Sequence, residues 1–197
     1  LDANGVLPKI IGGGSNRLFK VESGGELVVK YLNLTGGVAD AASGNDGRGG
    51  AIFVTGSSNL HVSNCSLDNN LAGNHGGAVY LVGSSEAEIQ SSSFINNICN
   101  LGTTGGAAFA HQNCKLIVLN SSFANNNARG IVLFGSAELL FYNNFMQCPN
   151  GCITTKMNNE RTAKPSVAML NAIFDTSNSQ NTAGNCGNDL DEWCVIR

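Results

Sequence analysis

The feature that most constrains this chain is a box that recurs three times: Gly49-Gly50-Ala51-Ile52-Phe53, Gly76-Gly77-Ala78-Val79-Tyr80 and Gly105-Gly106-Ala107-Ala108-Phe109. About 18 residues after each comes a second box: Cys65-Ser66-Leu67-Asp68-Asn69-Asn70, Ser92-Ser93-Phe94-Ile95-Asn96-Asn97 and Ser121-Ser122-Phe123-Ala124-Asn125-Asn126. A strand-like unit repeated at such a period cannot bury its apolar face alone, so it specifies a stack of units.

The apolar pattern inside each unit says which kind. Leu60 and Val62 lead to Leu67, Ala87 and Ile89 to Phe94, Leu116 and Val118 to Phe123. Apolar residues alternate, and the anchor follows the first of them by seven positions each time. A helical solenoid would space them three and four apart. The unit is therefore read as three short strands and three turns, with strands of successive coils pairing in parallel. The template extends upstream to Leu27, Val29 and Leu34, and downstream to Val167, Met169 and Phe174. Taking Phe145 as the remaining anchor points Glu138 and Leu140 inward. Burying an unpaired Glu is costly, whereas a shift of one selects Leu139 and Phe141, so a slip or bulge is expected there. The anchors Leu34, Leu67, Phe94, Phe123, Phe145 and Phe174 mark about six coils, a rod of roughly 25–30 Å.

Each repeated residue has a structural role in this reading. Gly50, Gly77 and Gly106 permit a tight corner with positive φ. The following alanine fits a crowded corner of the interior. Leu67, Phe94 and Phe123 stack inside the rod. The asparagine pairs ending in Asn70, Asn97 and Asn126 fall at a turn, where amide side chains can bond along a ladder. Phe53, Tyr80 and Phe109 sit beside the glycine corners and are read as partly core, partly exposed contact surface. The chain is one domain, 1–197: a partial coil over 1–16, coils over 17–178 and a C-terminal cap over 179–197.

Composition narrows the function classes. Only 13% of the 197 residues are charged and the net charge is -3. No basic run or basic–aromatic patch marks a nucleic-acid site, and no apolar stretch is long enough for a membrane-spanning helix. The chain starts at Leu1, and residues 1–12 already read as part of a repeat. The expectation is a processed or partial chain without its targeting segment. Of seven cysteines, Cys148 with Cys152 and Cys186 with Cys194 have spacings suited to local disulfides, the latter tying the cap. An extracellular, cell-surface or lumenal oxidising location is expected. Asn33, Asn64 and Asn120 begin sequons, matches expected by chance in a chain so rich in Asn and Ser.

Hydrolysis of glycosides needs two carboxylates, and lysis typically a cation and a base. Asp68 aligns with Ile95 and Ala124, Glu86 and Glu88 have no carboxylate counterparts on the next coil, and Asp40 and Asp46 lie in the segment 36–48. The column before the glycines reads Arg48, His75, Thr104, and His61, His75 and His111 lack ligand spacing. No catalytic, cofactor-binding or metal residue is assigned, and no cofactor is expected. Asp189, Asp191 and Glu192 lack the alternating pattern of a calcium loop, and Trp193 is read as covering the end of the last coil. The polar stretch 154–166 is read as a loop extruded between coils, with Lys156, Arg161 and Lys164 as interaction residues.

The Gly-Gly-Ala-aliphatic box followed by Phe-Ile-Asn-Asn at 94–97 and Phe-Ala-Asn-Asn at 123–126 resembles the repeats of the polymorphic outer membrane protein family. Residues 67–70 match with Leu for Phe, while Phe145 and Phe174 lack the asparagine. More loosely, residues 10–174 look like the right-handed parallel β-helix of pectate-lyase type. The resemblance implies an adhesive or structural module, or an accessory subunit of a larger assembly, with protein or glycan partners; the alternative is a polysaccharide-binding or pectate-lyase-like domain. It does not imply one chemistry.

Overall fold

The computed structural model describes residues 6–40, 46–101, 104–147, 152–156 and 163–175. Every element there is a β-strand. The longest strands, five residues each, are Glu26–Lys30, Asn59–Ser63, Glu86–Gln90, Lys115–Leu119, Glu138–Tyr142 and Ser166–Leu170. They pair in parallel into a six-stranded sheet, here the long sheet. The anchor sheet has seven strands, from Lys9–Ile11 and Asn33–Thr35 through Ser66–Asp68, Ser93–Ile95 and Ser122–Ala124 to Phe145–Gln147 and Ile173–Asp175. The corner sheet has six: Phe19–Val21, Ile52–Val54, Val79–Leu81, Ala108–His111, Ile131–Phe134 and Ile153–Lys156. Sequential strands never pair with each other; each pairs with its counterpart one coil away, the order of a parallel β-helix.

A fourth, three-stranded sheet, Val38–Ala39, Leu71–Ala72 and Ile98–Cys99, was not foreseen. It places part of the segment 36–48 in regular structure. Its sequence signal is a single apolar pair after each asparagine box, too short to show a period. The stretch 154–166 is corrected similarly: Thr154, Thr155 and Lys156 continue a corner-sheet strand, and Ser166 begins a long-sheet strand.

The interior follows the register. Leu34, Leu67, Phe94 and Phe123 are fully buried and aligned across the anchor sheet. The rings of Phe94 and Phe123 stack at 4.9 Å with planes 14° apart. Phe145 is not the next anchor. Met146 pairs with Phe123 and is fully buried, while Phe145 is 41% exposed. Leu139 and Phe141 are buried as the shift by one required, and Glu138 is exposed. No bulge is needed, because Leu116–Leu139 and Phe123–Met146 keep one register. The apparent slip came from preferring an aromatic anchor to the neighbouring methionine, an unbranched side chain well suited to filling such a gap.

The glycine boxes have a different cause from the one expected. Positive φ belongs to the first glycine in two of the three boxes, 60° at Gly49 and 62° at Gly76, and not to Gly105. Gly50, Gly77 and Gly106 are not in that region. Their constraint is proximity: a Cβ on Gly77 would collide with the Gly106 carbonyl oxygen and lie 2.8 Å from that of Ile98. A Cβ on Gly50 would meet the carbonyl oxygens of Gly77 and Leu71, and one on Gly106 that of Asn127. Ala51, Ala78 and Ala107 behind them are fully buried.

The asparagine pairs divide their labour. Asn69, Asn96 and Asn125 take positive φ, which asparagine tolerates better than most residues. Asn70, Asn97 and Asn126 turn inward and form the ladder. Asn70 Nδ2 donates to Asn97 Oδ1 at 3.0 Å, and Asn97 Nδ2 to Asn126 Oδ1 at 2.9 Å. Each also donates to the carbonyl of an anchor residue, Leu34, Leu67 and Phe94 respectively. A second ladder runs at the preceding turn: the amides of Cys65, Ser92 and Ser121 donate to Ser92 Oγ, Ser121 Oγ and Asn144 Oδ1. Buried polar groups tolerate burial when so paired.

Two sets of substitutions test this register. Phe94→Ala and Met146→Ala should each cost about 2–5 kcal/mol, and Phe145→Ala less than about 1 kcal/mol, by chemical denaturation; an equal loss at Phe145 and Met146 would overturn the alignment. Gly77→Ala should lower the melting temperature although alanine has no quarrel with the local φ; an unchanged transition would show that the carbonyl of Gly106 can move aside.

Candidate functional site

The interior consumes most of the repeated residues, so candidate sites lie on the outer columns. The first is an open groove of about 780 Å³ where the long sheet meets the anchor sheet. Its floor follows from local backbone chemistry. The residue closing each long strand takes positive φ, 49–56°: Tyr31, Asn64, Ser91, Asn120, Asn143 and Asn171. That conformation lets the chain bend into the anchor sheet, and it turns these side chains outward. Asn64 and Asn120 are exposed, and Asn171 Nδ2 donates to Asn143 Oδ1 at 3.0 Å. Tyr31, 53% exposed, lines one end of the groove; Phe145 and Ile173, 41% and 64% exposed and on the anchor sheet, line the other.

The second is the outer face of the corner sheet. Phe53, Tyr80, Phe109 and Val132 occupy one column of the register. They form an apolar cluster separate from the main core. The aromatics expected as contact surface are in fact covered, at 6%, 2% and 4% exposure. Cationic and imidazole side chains lie against them. The Arg17 guanidinium stands 4.8 Å above the Phe53 ring and that of Arg48 5.5 Å above Tyr80. His75 is 5.9 Å from Tyr80 and 4.8 Å from Phe109, and His111 is 6.2 Å from Phe109 and 4.9 Å from Phe134. Arg48 and His75 are bridged through their backbones on adjacent coils. Thr104, next in that column, donates to the Asn74 carbonyl and lies 2.7 Å from Cys99 Sγ.

Burial, then the charge of Arg48, holds His111 below the usual histidine value, and His75 is lowered by burial, Arg48, His111 and Lys156 in that order. Both imidazoles are therefore neutral at pH 7. Arg17 is occupied by Asp46 at 2.8 Å and by the Gly49 carbonyl at 3.0 Å.

Among the described residues the carboxylates are dispersed over separate partners. Glu86 lies 3.6 Å from Lys115, Glu26 and Glu88 each lie 3.5 Å from His61, and Asp68 accepts from Asn33 Nδ2 at 3.3 Å. Among the described residues no group of three metal-ligating side chains converges, and no helix is long and apolar enough to cross a membrane. Of the residues expected to make contacts, Lys156 sits on a corner-sheet strand in register with Phe134, and Lys164 is exposed. Arg161 lies outside the described residues, as do Cys148, Cys186, Cys194, Trp193 and the whole cap segment 179–197. Cys152 is disulfide-bonded. Cys65, Cys99 and Cys114 are free and buried, and burial raises all three thiols above their usual value.

Stacked parallel strands, inward ladders and covered corners together describe the family to which the sequence compares. The family model for the right handed beta helix region matches residues 50–186. The chain belongs to the right-handed β-helix family. Its solenoid is thus of the pectate-lyase-like superfamily type, with the hand that the family defines. No curated protein and no solved structure matches the chain significantly.

The corner face carries a pH signature. The lowered histidines leave the unfolded chain binding more protons below about pH 6.5, so stability rises with pH in that window and is lost as pH falls towards the folded values. Melting temperatures should decline on acidification from about pH 7.5 to about pH 5.5, less steeply in the double variant His75→Asn/His111→Asn. Identical slopes would show that the imidazoles are not desolvated as described.

Proposed function

We propose that this chain is a non-catalytic β-helix module for adhesion, which holds an extended glycan along the groove between the long and anchor sheets. One observation carries the reading. Tyr31 occupies a left-handed backbone position, φ 56°, where four of the five equivalent coils use asparagine and one serine. A residue other than glycine or asparagine costs about 1–2 kcal/mol in that region. The fold has no use for that cost, and an exposed ring at the end of an amide-lined groove has a use in binding. Sugars present hydroxyls to amides such as Asn64 and Asn120, and apolar ring faces to aromatics. Phe145 and Ile173 offer the matching platform at the opposite end. The disulfide at Cys152 supports an oxidising compartment, and with it a secreted or surface-bound role. The Gly-Gly-Ala and Phe-x-x-Asn boxes support a relationship to polymorphic outer membrane protein repeats, in which the module would be displayed as a passenger. A protein partner in a larger assembly is the second reading, favoured by the exposed Leu170 and Ile173 at 59% and 64%.

Glycan-array binding compared with pull-down from the native source separates the two. The wild-type protein should be retained by neutral glycans. The double variant Tyr31→Asn/Phe145→Ser, which inserts residues that neighbouring coils already use, should lose about tenfold in affinity with an unchanged melting temperature. Undiminished glycan binding by that variant, or capture of a stoichiometric protein partner with no glycan retention, would replace the groove reading.

A further inference from the structure

The open groove between the long and anchor sheets has two walls, each built from one residue per coil. One wall is the turn column of Tyr31, Asn64, Ser91, Asn120, Asn143 and Asn171, all at positive φ. The other is the outward column of the anchor sheet, in which Ser93, Ser122, Phe145 and Ile173 follow one another in register. Three coils lie between the exposed rings of Tyr31 and Phe145, and both walls there carry only serine or asparagine. The groove is therefore a polar track with an aromatic ring near each end.

The track has a period and a charge. Along the turn column it alternates long amide, short hydroxyl, long amide: Asn64, Ser91 and Asn120, all exposed. Strands about 4.8 Å apart set the two amides about 10 Å apart. Neither amide side chain bonds to a described residue, whereas Asn143 is already joined to Asn171 at 3.0 Å. Available amides thus recur at every second coil. As for charge, no Asp, Glu, Lys, Arg or His lines the groove. An anionic ligand would meet no cation there, on a chain of net charge -3.

Resting on the glycan reading of this groove, we infer that its ligand is a neutral β-1,4-linked glycan of gluco or manno type, held over about five sugar units at one sugar per coil. In such a chain both linkage bonds of each sugar are equatorial, so it extends as a ribbon. Each sugar advances by close to one strand spacing and is flipped relative to its neighbour, so the same hydroxyl edge returns about every 10 Å. That is the period of Asn64 and Asn120. Each amide offers a donor and an acceptor to that edge, and the short Ser91 leaves room for the flipped sugar between them. An α-1,4-linked chain coils and falls out of step with a straight column. Four coil steps separate Tyr31 from Phe145, about 19 Å, so a ribbon of about five units places its end sugars over the two rings. The uncharged lining selects against uronic acids.

The test is isothermal titration calorimetry of the whole chain with β-1,4-linked glucose and mannose oligomers of two to six units. Five-unit oligomers of α-1,4-linked glucose and of α-1,4-linked galacturonate are the comparison ligands. Affinity for the β-1,4-linked series should climb with length and level off at about five units, and both comparison ligands should bind at least about tenfold more weakly. Asn120→Ser installs the residue that the adjacent coil uses at nearly the same φ, 49° at Ser91 against 50° at Asn120. It should weaken the five-unit ligand several-fold with an unchanged melting temperature. Equal or tighter binding of a comparison ligand, affinity independent of length, or undiminished binding by Asn120→Ser would overturn the ribbon assignment and leave the groove a glycan site. So would retention of other glycans with no binding of the β-1,4-linked series. Absence of binding to every glycan tested would overturn the groove reading and the ribbon together.

Discussion

The structure depends on in-register parallel pairing between successive coils. Backbone amides of a coil donate to the coils on either side at a fixed offset, as in Ala51 to Ala78 at 3.0 Å on one side and Thr55 to Val21 at 2.9 Å on the other. With strands about 4.8 Å apart, residues at equivalent positions are forced into contact along the axis. A side chain therefore meets another of the same structural address, and only types that tolerate their own kind can repeat. Flat rings do so, as Phe94 and Phe123 show. Amides do so because they donate and accept at once, as in Asn70, Asn97 and Asn126. Like charges cannot, and the long sheet alternates Glu26, Asn59, Glu86 and Lys115 down one outer column. The low charge of the chain, 13% of residues, follows from the same rule.

The two ladders give this rule its thermodynamic weight. An unpaired buried amide costs about 1–3 kcal/mol, and a solenoid bend buries one per coil. Asn97 relieves several groups at once: it accepts from the Asn70 side chain and amide and donates to the Leu67 carbonyl. The ladder and the anchor stack are thereby coupled, because the carbonyl served belongs to the residue whose side chain fills the core. A slip by one residue would break both together. This coupling explains why the coil with Met146 keeps its register although the aromatic in its box falls on the neighbouring position. Asn144 accepts from Ser121 and donates to the Val118 carbonyl, and this fixes the bend independently of which side chain fills the core.

Legibility in the sequence tracks the strength of this coupling. The parallel stack, the inward faces of the long strands, the Phe94–Phe123 column and the asparagine ladder are direct consequences of alternation plus repetition, and all could be read from residues 49–126. Three features were hidden for physical reasons. The short fourth sheet has two residues per strand, below the length at which alternation is visible. The serine ladder beginning at Cys65 and Ser92 looks like ordinary turn composition, since serine favours turns with or without a neighbour to bond. The corner site needs distant coils to be superposed: Arg48 and His75 could be aligned as a column, but His111 enters from the strand after the next glycine box. Its position over Phe109 depends on the covered aromatic row. That row was itself obscure, because an outward-facing aromatic column next to glycines reads as exposed until the arginines and histidines that lie on it are placed.

In such a molecule the informative residues are those that depart from their column. A column of like residues is explained by the neighbours above and below it, so its identity says little about ligands. Tyr31 departs from an asparagine–serine column at a backbone conformation that disfavours it, and Phe145 departs from Ser66, Ser93 and Ser122 by exposing a ring. Arg48 Nε and His75 Nδ1 are buried without a hydrogen-bond partner among the described residues. The Tyr31 departure costs about 1–2 kcal/mol in backbone conformation, and the register demands neither it nor the exposed ring of Phe145. The interior and the ladders could be rebuilt without any of them. A fold that is indifferent to these side chains leaves their cost unexplained from within, and this is the ground on which a glycan is proposed at the groove where Tyr31 and Phe145 stand.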